Sequence, residues 1–169
     1  MLQLFKVTEY LHSNRICHRD LKPDNVLVCE KMDSPYNKGV DSFAVQIKVI
    51  DFNVAVKLSS EDDLIMGSTG LKEWSAPETR QQLYSDCKID CWSLGCLMFM
   101  LCTGKQPFGP HDKIEVSPEF NLLQKLNAYS ESGTFSDMVD LIGKLLISDP
   151  EKRLSSKEAL QHPWMRPST

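Results

Sequence analysis

A chain of 169 residues suits one domain, or part of a larger one, and is long enough to bury about 70% of its unfolded surface. Its 19 basic and 23 acidic residues leave a net charge of −4, which offers no electrostatic footprint for nucleic acid or an anionic membrane. No basic start precedes a long apolar run, and the longest apolar-rich stretch, Ile89 to Cys102, is too short to span a bilayer and contains Asp90; a cytoplasmic or nuclear location is expected. The cysteines are Cys17, Cys29, Cys87, Cys91, Cys96 and Cys102. None form a C-x-x-C pair, and they read as small buried hydrophobes in a reducing compartment, with zinc and disulfides not expected.

Residues 1 to about 13 read as a helix, with Leu2, Leu4, Phe5, Val7 and Leu11 on a broad apolar face. Asn14 is expected to cap it in a left-handed conformation. The stretch Cys17-His18-Arg19-Asp20-Leu21-Lys22-Pro23-Asp24-Asn25 then sets a carboxylate, an amine and an amide within six positions, Asp20 to Asn25. Pro23 disfavours helix there. Val26-Leu27-Val28 reads as a short buried strand. Polar groups on a loop anchored to a strand suit catalysis better than packing. Asp24 reads as a solvated acid.

Glu30 to Phe43 is polar and turn-rich, an enlarged exposed loop. Val45, Ile47 and Val49 alternate with Gln46 and Lys48, which predicts a second strand delivering Ile50-Asp51-Phe52-Asn53. Hydroxyl-rich, loop-like segments follow at 59–63 and 67–70. Asp86 to Cys102 predicts a helix that is apolar all round and therefore buried. Asp90, ionisable and inside it, requires partners. Glu119 to Tyr129 reads as a helix, and Met138, Leu141, Ile142, Leu145 and Leu146 mark a one-sided amphipathic one. Ser155 and Glu158 offer a capping box for a last helix. His111 and His162 stand alone and receive no ligand role.

His18-Arg19-Asp20 with Asn25 after four intervening residues, Asp51-Phe52, Ala76-Pro77-Glu78 and Asp90-Cys91-Trp92-Ser93-Leu94-Gly95 stand in the order of the protein-kinase motifs. The chain resembles the large, C-terminal lobe of a eukaryotic-type Ser/Thr protein kinase, nearest in flavour to the calcium/calmodulin-dependent group. It holds no calcium loop of the D-x-D-x-D-G type, so the likeness implies no calcium dependence. The implied fold is mainly α with short β hairpins, a partial kinase domain over residues 1–165 followed by a tail at 166–169. The small lobe, with its Gly-rich loop, strand lysine and helix glutamate, is expected to be missing.

The resemblance implies roles residue by residue. Asp20 is the catalytic base, and Lys22 steadies the transferred phosphoryl group; Lys22-Pro23 favours Ser/Thr over Tyr substrates. Lys22, Asn25 and Asp51 contact the ATP–Mg²⁺ cofactor, with Asn25 and Asp51 as metal ligands. Phe52 packs beside His18. Asn53 stands where the family has a Gly of positive φ, which implies a stiffer switch. Arg19 would pair with a phosphate on Ser68 or Thr69. Leu71 replaces a Thr common in kinases and cannot make its hydrogen bond. Glu78 and Arg153 form a buried ion pair, and Asp90 accepts bonds from the catalytic-loop backbone. The implied partners are ATP and a protein substrate, with no nucleic acid and no membrane. Two functions compete: an ATP-dependent Ser/Thr kinase of which this is one lobe, and a truncated kinase-like binding or scaffold module without catalysis. The chain alone is expected to be inactive, with a partner covering the face where the small lobe would sit.

Overall fold

The computed structural model describes residues 1–29, 46–60, 63–65, 73–80, 86–108 and 134–166. The expected loop at 30–43, Ser68, Thr69, Leu71, His111 and the expected helix at 119–129 lie outside them. The helices are α1 (Leu2–Ser13), α2 (Pro77–Arg80), α3 (Lys88–Thr103), α4 (Thr134–Leu145) and α5 (Ser156–Gln161). The strands are β1 (Ile16–Cys17), β2 (Val26–Cys29), β3 (Gln46–Val49) and β4 (Val56–Lys57). They form two antiparallel pairs, β1 with β4 and β2 with β3.

The core is built on α3. Its apolar circumference is buried from Ile89 to Phe99, as a helix without a polar stripe must be. α4 presents Met138, Leu141, Ile142 and Leu145 to it, followed by Leu146. The two helices approach closely at Gly95, where an added Cβ would lie 2.9 Å from Leu145 Cβ and from Leu146. Gly104 ends α3 with φ 69°, the left-handed cap that glycine adopts at little cost. α1 buries Leu4, Phe5, Thr8 and Leu11, while Leu2 stays exposed. Ser155 and Glu158 form the expected capping box: the Ser155 N–H donates to Glu158 Oε2 at 2.8 Å, and the Glu158 N–H to Ser155 Oγ at 3.3 Å. Among the described residues no helix is long and apolar enough to cross a membrane.

Three local expectations fail. Asn14 is not left-handed (φ −93°); its side-chain amide donates to Tyr10 O at 2.7 Å, and the positive φ falls on Arg15 (59°). A side chain that can bond the last turn directly leaves the reversal to the next residue. The β2 strand exists but is not buried: Leu27 is 46% and Val28 69% exposed, in a sheet where β2 has only β3 beside it among the described residues. Asn53 does not take positive φ; Asp51 does, at 64°. The replacement of Gly by Asn therefore meets no left-handed strain at position 53 itself.

Candidate active site

The site starts from β2. A single 3₁₀ turn, Pro23–Asn25, leads into it, with Pro23 at the first position where its missing N–H costs nothing. Antiparallel pairing sets Val26 opposite Val49, and the Ile50 N–H donates to Asn25 O at 3.0 Å. That register brings Asp51, the next residue, to the side of the loop that carries Asn25. His18 closes the same junction from β1. Its Nδ1 accepts from the Asp20 N–H at 3.3 Å, so Nε2 carries the hydrogen and donates to Ile50 O at 3.0 Å. The His18 ring meets Phe52 edge-on at 4.6 Å, the packing the sequence resemblance implies.

Within the loop, two donors converge on one carboxylate oxygen. Lys22 Nζ donates to Asp20 Oδ2 at 2.7 Å, and Asn25 Nδ2 donates to the same oxygen at 3.0 Å and to Asp20 O at 2.7 Å. The bond to Asp20 raises the Lys22 pKa; slight burial opposes this, and the charges of Asp20, Asp24 and Asp51 add to the rise. Lys22 is therefore a fixed positive charge. Asn25 is buried, with its amide nitrogen fully committed, while Asp51 is exposed. The structure thus brings Asp20, Lys22 and Asn25 into direct contact and sets Asp51 beside them.

Beneath the loop lies Asp90. Its Oδ2 accepts the His18 N–H at 2.8 Å and its Oδ1 the Arg19 N–H at 2.8 Å, as expected. Arg19 has φ 69°, a conformation that a non-glycine residue keeps only when its surroundings hold it. The two Asp90 bonds supply that hold. A third partner escapes sequence reasoning: His12 Nε2 donates to Asp90 Oδ2 at 3.0 Å. On its other side His12 Nδ1 lies 3.2 Å from Ser156 Oγ, whose own hydrogen goes to Glu9 Oε2 at 2.6 Å. Both ring nitrogens therefore donate, which defines an imidazolium. Burial disfavours that charge, but the bond to Asp90, the contact with Cys91 and the Asp90 charge outweigh it, and the His12 pKa is pushed up to about 11. His12 and Asp90 are 78 residues apart, and no spacing rule links them.

Glu78 and Arg153 form the expected bidentate ion pair, Nη1–Oε1 at 2.6 Å and Nη2–Oε2 at 2.9 Å, with both residues buried. Arg153 also donates to Ile147 O, Lys88 O and Ser148 O and lies 5.2 Å from the Trp92 ring centre. The pair ties α2 to the segment between α4 and α5, and the Arg153 bond to Lys88 O reaches the start of α3. His162 is not alone: Nε2 lies 2.9 Å from Asp140 Oδ2, and Nδ1 accepts the Trp164 N–H at 3.3 Å, a structural role at the chain's final turn.

The description "Protein kinase domain" matches residues 1–165. The chain is 36% identical over 169 residues to ribosomal protein S6 kinase 2 alpha of Gallus gallus, covering 95% of this chain and 21% of that protein. It is 35% identical over 169 residues to ribosomal protein S6 kinase alpha-1 of Homo sapiens, covering 95% and 21%. It is 33% identical over 174 residues to ribosomal protein S6 kinase alpha-3 of Homo sapiens, covering 98% and 22%. The chain belongs to the protein kinase domain family. It spans about a fifth of the length of these relatives.

Proposed function

We propose that the protein carrying this chain transfers a phosphoryl group from ATP to Ser or Thr hydroxyls of protein substrates. The convergence of Lys22 and Asn25 on one oxygen of Asp20 carries this reading. Two donors hold Asp20 in a single orientation, which leaves its carboxylate placed to accept the proton of an incoming hydroxyl. Lys22 provides a compact positive charge at the same point, suited to anionic oxygens.

The donor set fits Mg²⁺. Asn25 spends its nitrogen on Asp20 and keeps its amide oxygen as an acceptor, and Asp51 adds an exposed carboxylate. Among the described residues no group of three His, Cys, Asp or Glu could form a closed metal cage. One carboxylate and one amide make the open kind of site that Mg²⁺ prefers, completed by water and phosphate oxygens. Mg²⁺, when bound, would supply positive charge against the phosphates. Asp20→Asn in the intact protein should lower turnover by about 10²–10⁴-fold while leaving nucleotide binding in place. Undiminished turnover in that variant would remove Asp20 from the role.

A second reading, a kinase-like module that docks partners, is favoured by one observation. Leu27, Val28 and Phe52, on the segments next to the loop, are exposed apolar side chains. In this reading a partner covers these side chains, and the 169-residue chain alone transfers no phosphate. Detectable phosphotransfer by that chain, abolished by Asp20→Asn, counts against it.

A further inference from the structure

Ser156 is the first residue of α5, yet its hydroxyl takes no part in capping that helix, because Ser155 makes the cap. Ser156 is only 1% exposed, and its Oγ reaches across to α1. There it donates to Glu9 Oε2 at 2.6 Å, the length of a charge-assisted O–H···O⁻ bond. Among the described residues Glu9 forms no ion pair, so the Ser156 hydroxyl is what its carboxylate faces.

A hydroxyl has one hydrogen to give. With it committed to Glu9, Ser156 Oγ offers only lone pairs to His12 Nδ1, 3.2 Å away. The imidazole is then clamped at both nitrogens, Nδ1–H on Ser156 of α5 and Nε2–H on Asp90 Oδ2 of α3 at 3.0 Å. Asp90 in turn accepts the His18 and Arg19 amides, each at 2.8 Å. Arg19, held at φ 69°, is the residue directly before Asp20. The bonds Glu9–Ser156–His12–Asp90 thus run unbroken from the last helix to the backbone that aims Asp20. A ring fixed at both ends fixes the carboxylate it meets, as an outer hydrogen bond orients a metal-bound imidazole.

We infer that Ser156 and Glu9 are positioning residues for phosphoryl transfer. Glu9 sets the direction of the Ser156 hydroxyl, and Ser156 sets the orientation of His12. Through Asp90 the two hold the left-handed Arg19 backbone that aims Asp20. The assignment rests on the reading of Asp20 as the base. Glu9, His12 and Ser156 all line a cavity of about 310 Å³. Removing the Ser156 hydroxyl therefore leaves His12 Nδ1 facing room for water, so the clamp is lost without a buried donor being stranded.

The test compares Ser156→Ala, Glu9→Ala and Glu9→Gln with wild type in the intact protein, by steady-state phosphotransfer and by peptide-resolved hydrogen exchange. Ser156→Ala should lower kcat by about 10-fold with KM for ATP unchanged. It should also speed exchange at the His18 and Arg19 amides while α3 and α4 exchange as before. Glu9→Ala, which leaves Ser156 in place, should move both readouts the same way. Glu9→Gln keeps an oxygen to accept the Ser156 hydrogen and should restore most of the loss. Wild-type kcat in both alanine variants overturns the assignment. So does a fall in kcat with exchange at His18 and Arg19 unchanged, and so does faster exchange throughout the chain, which marks a merely structural role. A wild-type protein that transfers no phosphate overturns the functional reading and the assignment with it, a result distinct from an active wild type with indifferent variants.

Discussion

Asp90 is fully buried, and burial alone would raise its pKa. The bond and charge of His12, then the His18 and Arg19 amides, instead hold it below the usual carboxylate range. Its carboxylate is therefore an anion that costs little to keep, because each oxygen faces a donor. The consequence for stability follows from His12. Its folded pKa of about 11 lies above the ordinary 6.5, so its contribution is complete below about pH 6.5 and drains away as pH rises through 11. The depressed Asp90 acts at the other end, losing its contribution as pH falls below 3.8. Urea unfolding at a series of pH values should show stability declining from pH 6.5 toward 11, with a shallower decline in His12→Gln. Equal slopes in the two proteins would show that the ion pair does not form. Asp90 was legible in the sequence because a lone acid in an apolar helix must be paired. His12 was not, since the partner of a buried charge is chosen by the tertiary fold and leaves no mark at fixed spacing.

Among the elements, α3 and α4 show how a local choice sets a distance. Gly95 lets the α4 end come so close that a methyl group would touch Leu145 Cβ and Leu146 at 2.9 Å. Alanine normally favours a helix over glycine by up to about 1 kcal/mol. Here overpacking opposes that gain, typically by about 1–3 kcal/mol, and neither leucine side chain has free space to move into because both are wholly buried. Gly95→Ala should therefore lower the urea midpoint, and an unchanged or higher midpoint would mean that α4 shifts without cost. The periodicity of α4 and the circumference of α3 were both plain in the sequence. Exposure of β2 was not. Val26-Leu27-Val28 has the composition of a buried strand, and composition cannot tell whether a covering element is at hand. The two-residue strands β1 and β4 were also invisible, because a pair that short owes its existence to the backbone it meets, with Ile16 opposite Lys57.

Across the whole molecule, the loop with the candidate chemistry is fastened to the central helix as well as to its neighbouring strand. Motif order singles out Asp20, Lys22, Asn25 and Asp51; the first three meet within the loop, and the β2–β3 register sets Asp51 beside them. The fastening to α3 has a consequence in hydrogen exchange. The His18 and Arg19 amides lie outside the regular ladders, and a loop amide ordinarily exchanges through small local openings. Both, however, donate to a carboxylate rooted in the most buried helix of the described chain. Releasing them requires α3 to open, so their deuterium uptake should follow that of α3 and lag behind the exposed β2–β3 pair. Mass-spectrometric exchange resolved to these peptides measures the difference, and rapid uptake at both amides would show that the loop detaches on its own. If the slow pattern holds, the segment that must be most accurately placed is also among the last to lose its protons to solvent.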